Sequence, residues 1–244
     1  GVFLDAYFSA TKIQWILKNS SLAKKTLKKG SLIFGTIDTW ILWNLTEEKT
    51  HATDHSNASR TMLYNLKTQS YDQELLDFFS IPKEILPTIK ESDALFGTTK
   101  INEQEVPIHA ILGDQQASLF AQHTKNQNTI KNTYGTGLFL IATTGSSIPK
   151  TDKLVNTVAW KIGSSIEYAL EGSIFVGGAA IQWLRDELTL FTKAKETEKL
   201  ATKITCNEDV YFVPALTGLG APYWDPHARG LLIGLTRGTT KNHI

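Results

Sequence analysis

Two short stretches of this chain carry residue types that could do chemistry. Gly113-Asp114-Gln115-Gln116 closes an apolar run, and Asn132-Thr133-Tyr134-Gly135-Thr136-Gly137 follows further along. Residues 106–112 read as a buried strand and Ala117-Ser118-Leu119-Phe120-Ala121 as helix, which sets Asp114 at a strand-to-helix junction. Open α/β sheets bind ligands at such strand ends. A carboxylate there can accept the proton of a substrate hydroxyl, and a loop of small residues lets backbone N–H groups approach a phosphate with no Cβ in the way. Together they predict phosphoryl transfer to an alcohol. Taken singly neither is diagnostic, because an Asp before a helix is often a plain N-cap and Gly-Thr-Gly an ordinary turn.

The elements that must position these residues show in the hydrophobic pattern. Residues 9–18 place Ile13, Ile16 and Leu17 on one helical face with Trp15 beside it, and residues 21–29 form a short basic helix ended by Gly30. Leu32-Ile33-Phe34 reads as a strand, residues 38–43 as a buried helix with both tryptophans in the core, and residues 71–80 as an amphipathic helix. After Asp114 come strands at residues 129–133, 138–143, 154–160 and 166–170, separated by turn residues, which implies antiparallel hairpins. A helix over 173–190 follows, opening on Gly177-Gly178-Ala179-Ala180. Those glycines serve either close approach to a nucleotide or tight helix packing. The polar stretch at 123–128 is a candidate hinge dividing domains at 1–122 and 123–244, with a site straddling it and closing to expel water.

Composition excludes several function classes. At 244 residues and 41% hydrophobic content the chain can bury a substantial core. Twenty-five basic against twenty-four acidic residues leave a net charge of +1, so no field points to nucleic acid or a membrane surface. Cys206 is the one cysteine, which rules out an internal disulfide and fits a reducing compartment. No apolar run reaches the length of a membrane span and no signal peptide opens the chain, so a cytoplasmic location is expected. His51 and His55 have i, i+4 spacing but lack a helical pattern around them, and zinc motifs are missing.

Several stretches extend the pattern: Tyr7-Phe8-Ser9-Ala10-Thr11-Lys12-Ile13-Gln14-Trp15, Asn57-Ala58-Ser59-Arg60-Thr61-Met62-Leu63, and Gly218-Leu219-Gly220-Ala221-Pro222-Tyr223-Trp224-Asp225-Pro226. With the two stretches above, they closely resemble the FGGY carbohydrate kinases, from end to end of the chain and in the wording of the glycerol-phosphorylating branch. The resemblance implies an α/β, actin-like and ribonuclease-H-like ATPase fold, here parts of two domains flanking a cleft, with ATP and Mg²⁺ as cofactors and glycerol as acceptor. It carries over Asp114 as the general base and a possible Mg²⁺ contact. Tyr7 and Gln115 match positions that hydrogen-bond glycerol, and Phe139 an aromatic packed on its carbons. Gly135 and Thr136 match the phosphate loop, and Gly178 and Gln182 nucleotide contacts on the glycine-rich helix. Without it, Tyr7 reads as an interfacial tyrosine, Phe139 as core and Arg60 as either a cleft or a surface residue.

Departures from the family pattern shape the remaining expectations. The amino-terminal phosphate loop, an Arg-Glu pair for glycerol, a Mg²⁺ carboxylate and the adenine loop have no counterpart here, so the chain is expected to be an internal piece, inactive alone, of an enzyme that forms dimers or tetramers. The Gly-Gly-Thr-Arg loop that binds fructose bisphosphate in some relatives is missing near residues 98–106. Rival readings are a pentose or polyol kinase of the same family, and a non-catalytic actin-like ATP-binding protein.

Overall fold

The computed structural model describes residues 2–123 and 130–244, so most of the candidate hinge at 123–128 lies outside the described residues. The chain divides into two compact units. The first holds residues 1–131, 141–150 and 155–170, and the second residues 132–140, 151–154 and 171–244.

The first unit opens with helices α1 (Ser9–Asn19), α2 (Ser21–Lys28) and α3 (Ile37–Leu45). α2 is started by the Ser20 hydroxyl, which accepts the Ala23 N–H, and ends at Gly30 with φ of 66°. Strand β1 (Ala52–Asp54) runs directly into the single-turn helix α4 (His55–Ala58). The hairpin of β2 (Tyr64–Asn65) and β3 (Ser70–Tyr71) leads to α5 (Gln73–Phe79), capped by Asp72. β4 (Thr88–Lys90) then pairs in parallel with β1, Ala52 opposite Thr88. β5 (Gly97–Ile101) and β6 (Gln104–Ile108) form an exposed hairpin whose turn residues Asn102 and Glu103 both take positive φ, as a two-residue primed turn requires. Helix α6 (Asp114–Gln122) follows.

Next come β7 (Ile130–Tyr134), β8 (Leu138–Gly145), β9 (Val155–Ile162) and β10 (Ser165–Ile174), in a sheet ordered β7-β8-β10-β9. Neighbours joined by two- or three-residue loops must run antiparallel, since a parallel pair needs a long crossover, and so the expected hairpins are present. Buried Leu119 of α6 packs with Ile141, Ala159, Trp160 and Ala169 of this sheet. Ala58, Tyr64, Leu66, Val158 and Tyr168 make a second cluster, and Leu42, Ala52 and Phe96 a third. The second unit adds α7 (Gly178–Asp186), α8 (Glu196–Ala201) and the antiparallel pair β11 (Tyr211–Val213) and β12 (Leu231–Ile233).

Five expectations are corrected. Residues 32–34 form no ladder; Phe34 N–H makes a single backbone bond to Ile85 O at 2.7 Å. Trp40 is 62% exposed, because α3 packs only its Thr39 and Leu42 side inward. The strand before Asp114 is β6, it ends at Ile108 and its residues are mostly exposed, so an irregular stretch separates it from α6. The later helix starts at Gly178, since Ser173 and Ile174 still belong to β10. Tyr71 likewise lies in β3 ahead of its helix.

One buried histidine links this packing to pH. His55 faces Tyr64, with Nδ1 and the phenol oxygen 2.7 Å apart. Burial, reinforced by the Lys161 charge and opposed by Glu91, lowers its pKa to about 4. The unfolded chain therefore takes up this proton first as pH falls, and stability drops through the window from 6.5 to about 4. Between pH 7 and pH 4.5 the loss from this group should be about 2 kcal/mol. Urea unfolding of wild type and His55→Gln at both pH values checks it; equal pH slopes for the two proteins would refute the assignment.

Candidate active site

In the first unit the placement of Asp114 depends on how α6 is started. Gly113 is its N-cap and Asp114 its first residue, so Asp114 is not the cap that an Asp in this setting often is. The Asp114 side chain is exposed, and its Oδ1 accepts the Gln115 N–H at 2.7 Å. A carboxylate in the first turn also lies at the favourable end of the helix dipole. Gln116, two residues on, is buried at 3% exposure and reaches Thr157 Oγ1 and Val158 O, each at 3.5 Å. Leu119, three further on, shares that inward face. Gln116 and Leu119 thus anchor the helix while Asp114 points to solvent.

Residues not singled out from sequence hold the helix start. Asp54, at the end of β1, is fully buried and its carboxylate accepts five hydrogen bonds. The donors are the Ser56 N–H and hydroxyl, the Asn57 N–H and side-chain amide, and the Ser92 hydroxyl, at 2.7–3.0 Å. Burial pushes its pKa up, and these donors oppose the shift. Ser56 Oγ in turn accepts the Gly113 N–H at 2.9 Å. Ser92 is bonded on both sides, by the Ile111 N–H to its carbonyl and by the Lys161 N–H to its hydroxyl. One buried carboxylate therefore sets α4, the segment after β4 and the entry to α6. The sequence signal was present in Asp54-x-Ser56-Asn57, an Asx-type cap pattern, though the long-range partners were not.

Tyr7 is half exposed, its N–H held by Asp5 Oδ1 at 2.7 Å, with the Arg60 guanidinium 6.0 Å from its ring centroid and 5.4 Å from that of Phe8. Arg60 is thereby placed beside Tyr7 rather than on a remote surface. Gln115 receives the ammonium of Lys131, a β7 residue that sequence reading passed over.

In the second unit the loop between β7 and β8 docks on the start of α7. Gly177 and Gly178 N–H groups donate to Thr136 O and Gly135 O, both at 2.8 Å, and Ala179 N–H to Thr136 O at 3.2 Å. A Cβ at Gly178 would lie 2.8 Å from Gly135 O, and one at Gly137 2.7 Å from Ile174 O. The glycines thus meet a packing need within the chain, and the first α7 amides are turned toward loop carbonyls. Thr136, Gly178 and Gln182 are exposed, the last two one turn apart on the face opposite buried Ala180 and Leu184. Phe139 is half-buried, with its ring edge facing Gly137. The stretch 218–226 is also a packing device: Ala221 N–H donates to Ser173 O at 2.9 Å, Trp224 Nε1 to Lys153 O at 2.8 Å, and a Cβ at Gly220 would collide with Ser173 O.

Among the described residues no three His, Cys, Asp or Glu side chains cluster as a metal cage, and no helix is long and apolar enough to cross a membrane.

The N-terminal domain of the FGGY family of carbohydrate kinases matches residues 1–121, and its C-terminal domain residues 130–244. The chain belongs to the FGGY family of carbohydrate kinases. It is 55% identical to the glycerol kinase of Aquifex aeolicus over 246 residues, covering all of this chain and 50% of that protein. The structure of Plasmodium falciparum glycerol kinase with ADP superposes with a TM-score of 0.85 at 34% identity, over 100% of this chain and 49% of that one. A ligand-bound xylulose kinase from Lactobacillus acidophilus follows with a TM-score of 0.75 at 25% identity, over 96% of this chain and 48% of that one. The fold is the actin-like ATPase fold of these kinases. The chain spans about half the length of the curated relatives it matches.

The Asp54 hub gives a direct test. Ser56→Ala removes the acceptor of the Gly113 N–H and should cost about 1–2 kcal/mol while speeding exchange of that amide. Asp54→Ala strands several donors at once and should cost about 3 kcal/mol or more. Urea unfolding with amide exchange measures both, and a neutral Asp54→Ala would show that the hub bears no weight.

Proposed function

We propose that the protein to which this chain belongs transfers the γ-phosphoryl group of Mg-ATP to a terminal hydroxyl of glycerol, giving glycerol 3-phosphate and ADP. The observation that carries this reading is the exposed Asp114 carboxylate, fixed at the first turn of α6 by a buried network and followed at once by a polar side chain, Gln115. Among solved structures the 34% identity to a glycerol kinase, against 25% to a xylulose kinase, favours glycerol as acceptor within the family.

In the reaction the hydroxyl oxygen attacks the γ-phosphorus and its bond to phosphorus forms as the bond to the β,γ-bridging oxygen breaks. Asp114 accepts the hydroxyl proton. Gln115 and Tyr7 bind the remaining hydroxyls, because a pocket built to hydrogen-bond a hydroxyl rejects analogues that lack it. Phe139 offers an apolar wall for the carbon chain. The exposed loop at Gly135 and Thr136 binds the phosphates, with Gly178 and Gln182 on the adjoining face of α7. Mg²⁺ would supply charge neutralisation on the transferring phosphoryl group, with Asp114 as a contact; among the described residues no cluster of three His, Cys, Asp or Glu would hold it, which fits an ion carried in on the nucleotide.

Calorimetry of the chain with glycerol and with Mg-ATP, and ADP release at the full length of the relatives, test the reading. Glycerol-dependent ADP release is expected, and preference for a pentose would overturn the choice of acceptor. Asp114→Asn should lower turnover about 10²- to 10⁴-fold with glycerol affinity nearly kept. Unchanged turnover would remove Asp114 from its role. Gly178→Ala, which drives a methyl onto Gly135 O, should weaken ATP binding and leave glycerol affinity unmoved.

A further inference from the structure

Lys131 is one of the few charged side chains withdrawn from solvent, at 4% exposure, and it sits on β7 with its ammonium donating to Gln115 Oε1 at 2.5 Å. Holding an ammonium away from water is costly unless its hydrogen bonds are met, so a sequence keeps one there only where its bonds matter to the fold or to the site. One partner is a neutral carboxamide, and that pairing has a chemical consequence.

An ammonium has three donors and no acceptor, while a carboxamide has an oxygen that accepts and an NH₂ that donates. The bond to Lys131 can therefore form only with the Gln115 oxygen. It removes the two-fold ambiguity of the carboxamide and assigns its ends, with Oε1 toward the lysine and Nε2 away from it. A hydroxyl that meets Gln115 at the nitrogen end is held through its oxygen lone pair and keeps its proton for another acceptor. Asp114, the preceding residue, is a carboxylate and accepts only. The two neighbours thus offer an alcohol opposite hydrogen-bonding characters, a donor from Gln115 and an acceptor from Asp114.

We propose that Lys131 is a positioning residue that sets the polarity of Gln115, so that the site reads a hydroxyl of a polyol as a hydrogen-bond acceptor and discriminates against substrates lacking it. This rests on the glycerol reading above and deepens it. Without Lys131 the carboxamide loses a bond that assigns its ends, and a carboxamide oxygen facing a hydroxyl can only accept that hydroxyl's proton in a hydrogen bond.

Steady-state kinetics in the protein at the full length of its relatives test this, with glycerol, 1,2-propanediol and 1,3-propanediol as acceptors. In Lys131→Met the glycerol KM should rise about 10- to 100-fold, with the ATP KM unmoved and the preference for glycerol over one of the diols falling by a similar factor. Lys131→Arg, which keeps a donor-only cation, should restore most of that preference. Should Lys131→Met fail to fold, Gln115→Glu keeps a partner for the lysine and removes only the NH₂ donor; it should lose the same preference at unchanged melting temperature. An unaltered glycerol-to-diol ratio in whichever variant folds, or a loss confined to kcat and stability, overturns the role of Lys131. Failure of the wild-type protein to phosphorylate glycerol would instead overturn the function beneath it, and this inference with it.

Discussion

The fold of the first unit turns on a carboxylate removed from water. Asp54 has no exposure, and an isolated buried carboxylate would be strongly disfavoured. Its five donors come from two places in the chain: Ser56 and Asn57 in its own following turn, and Ser92 on the far side of β4. Both serines among them are committed elsewhere. Ser56 also takes the Gly113 N–H and Ser92 the Lys161 N–H, so the network has little slack. Hydrogen bonds to a charged acceptor are stronger and more directional than neutral ones, and here that directionality is passed to Gly113, the residue before Asp114. Precision at Asp114 is therefore set by a group that never meets solvent.

The second unit reaches comparable rigidity by a different route, close approach of backbone to backbone. Gly178 against Gly135 O, Gly137 against Ile174 O and Gly220 against Ser173 O are positions where a methyl group would meet a carbonyl oxygen. Glycine in these elements costs conformational entropy. The return is that a loop with no side-chain bulk is held by α7 N–H groups at Gly135 and Thr136, leaving the Thr136 side chain exposed. A glycine-rich helix start is then required for packing whether or not a nucleotide touches it.

How much of this could be read from the residues follows the range of the forces involved. Local signals were legible: the Gly30 stop of α2, the hairpins from β7 to β10, and α6 itself. Burial was misread where periodicity is silent about partners. Trp40 and residues 106–112 are apolar enough for a core, yet α3 covers only one side and β6 pairs with β5 as an exposed hairpin. Of the candidate residues, Asp114 was visible through its small, polar neighbourhood. Lys131 and Asp54 were not, because their meaning lies in partners 16 and 38 positions away. Resemblance to a family finds residues that touch ligands more readily than those that aim them.

Gly113-Asp114-Gln115-Gln116 shows why such a stretch leaves little freedom. Gly113 gives its N–H to Ser56, and a Cβ there would run into Gln116 Oε1. Gln116 is turned inward to the sheet, so it cannot also face a substrate. Asp114 is turned outward on the same helix turn, and Gln115 lies between, with its oxygen given to Lys131. Two glutamines in succession thus have different duties, one to hold the helix and one to present an amide. Under the proposed reaction, exchanging either changes a different property, since loss of the inner one loosens the position of Asp114 and loss of the outer one alters which hydroxyls are recognised. The proton transfer proposed for Asp114 depends on both, because an acceptor for a proton is useful only when the oxygen bearing that proton is held still.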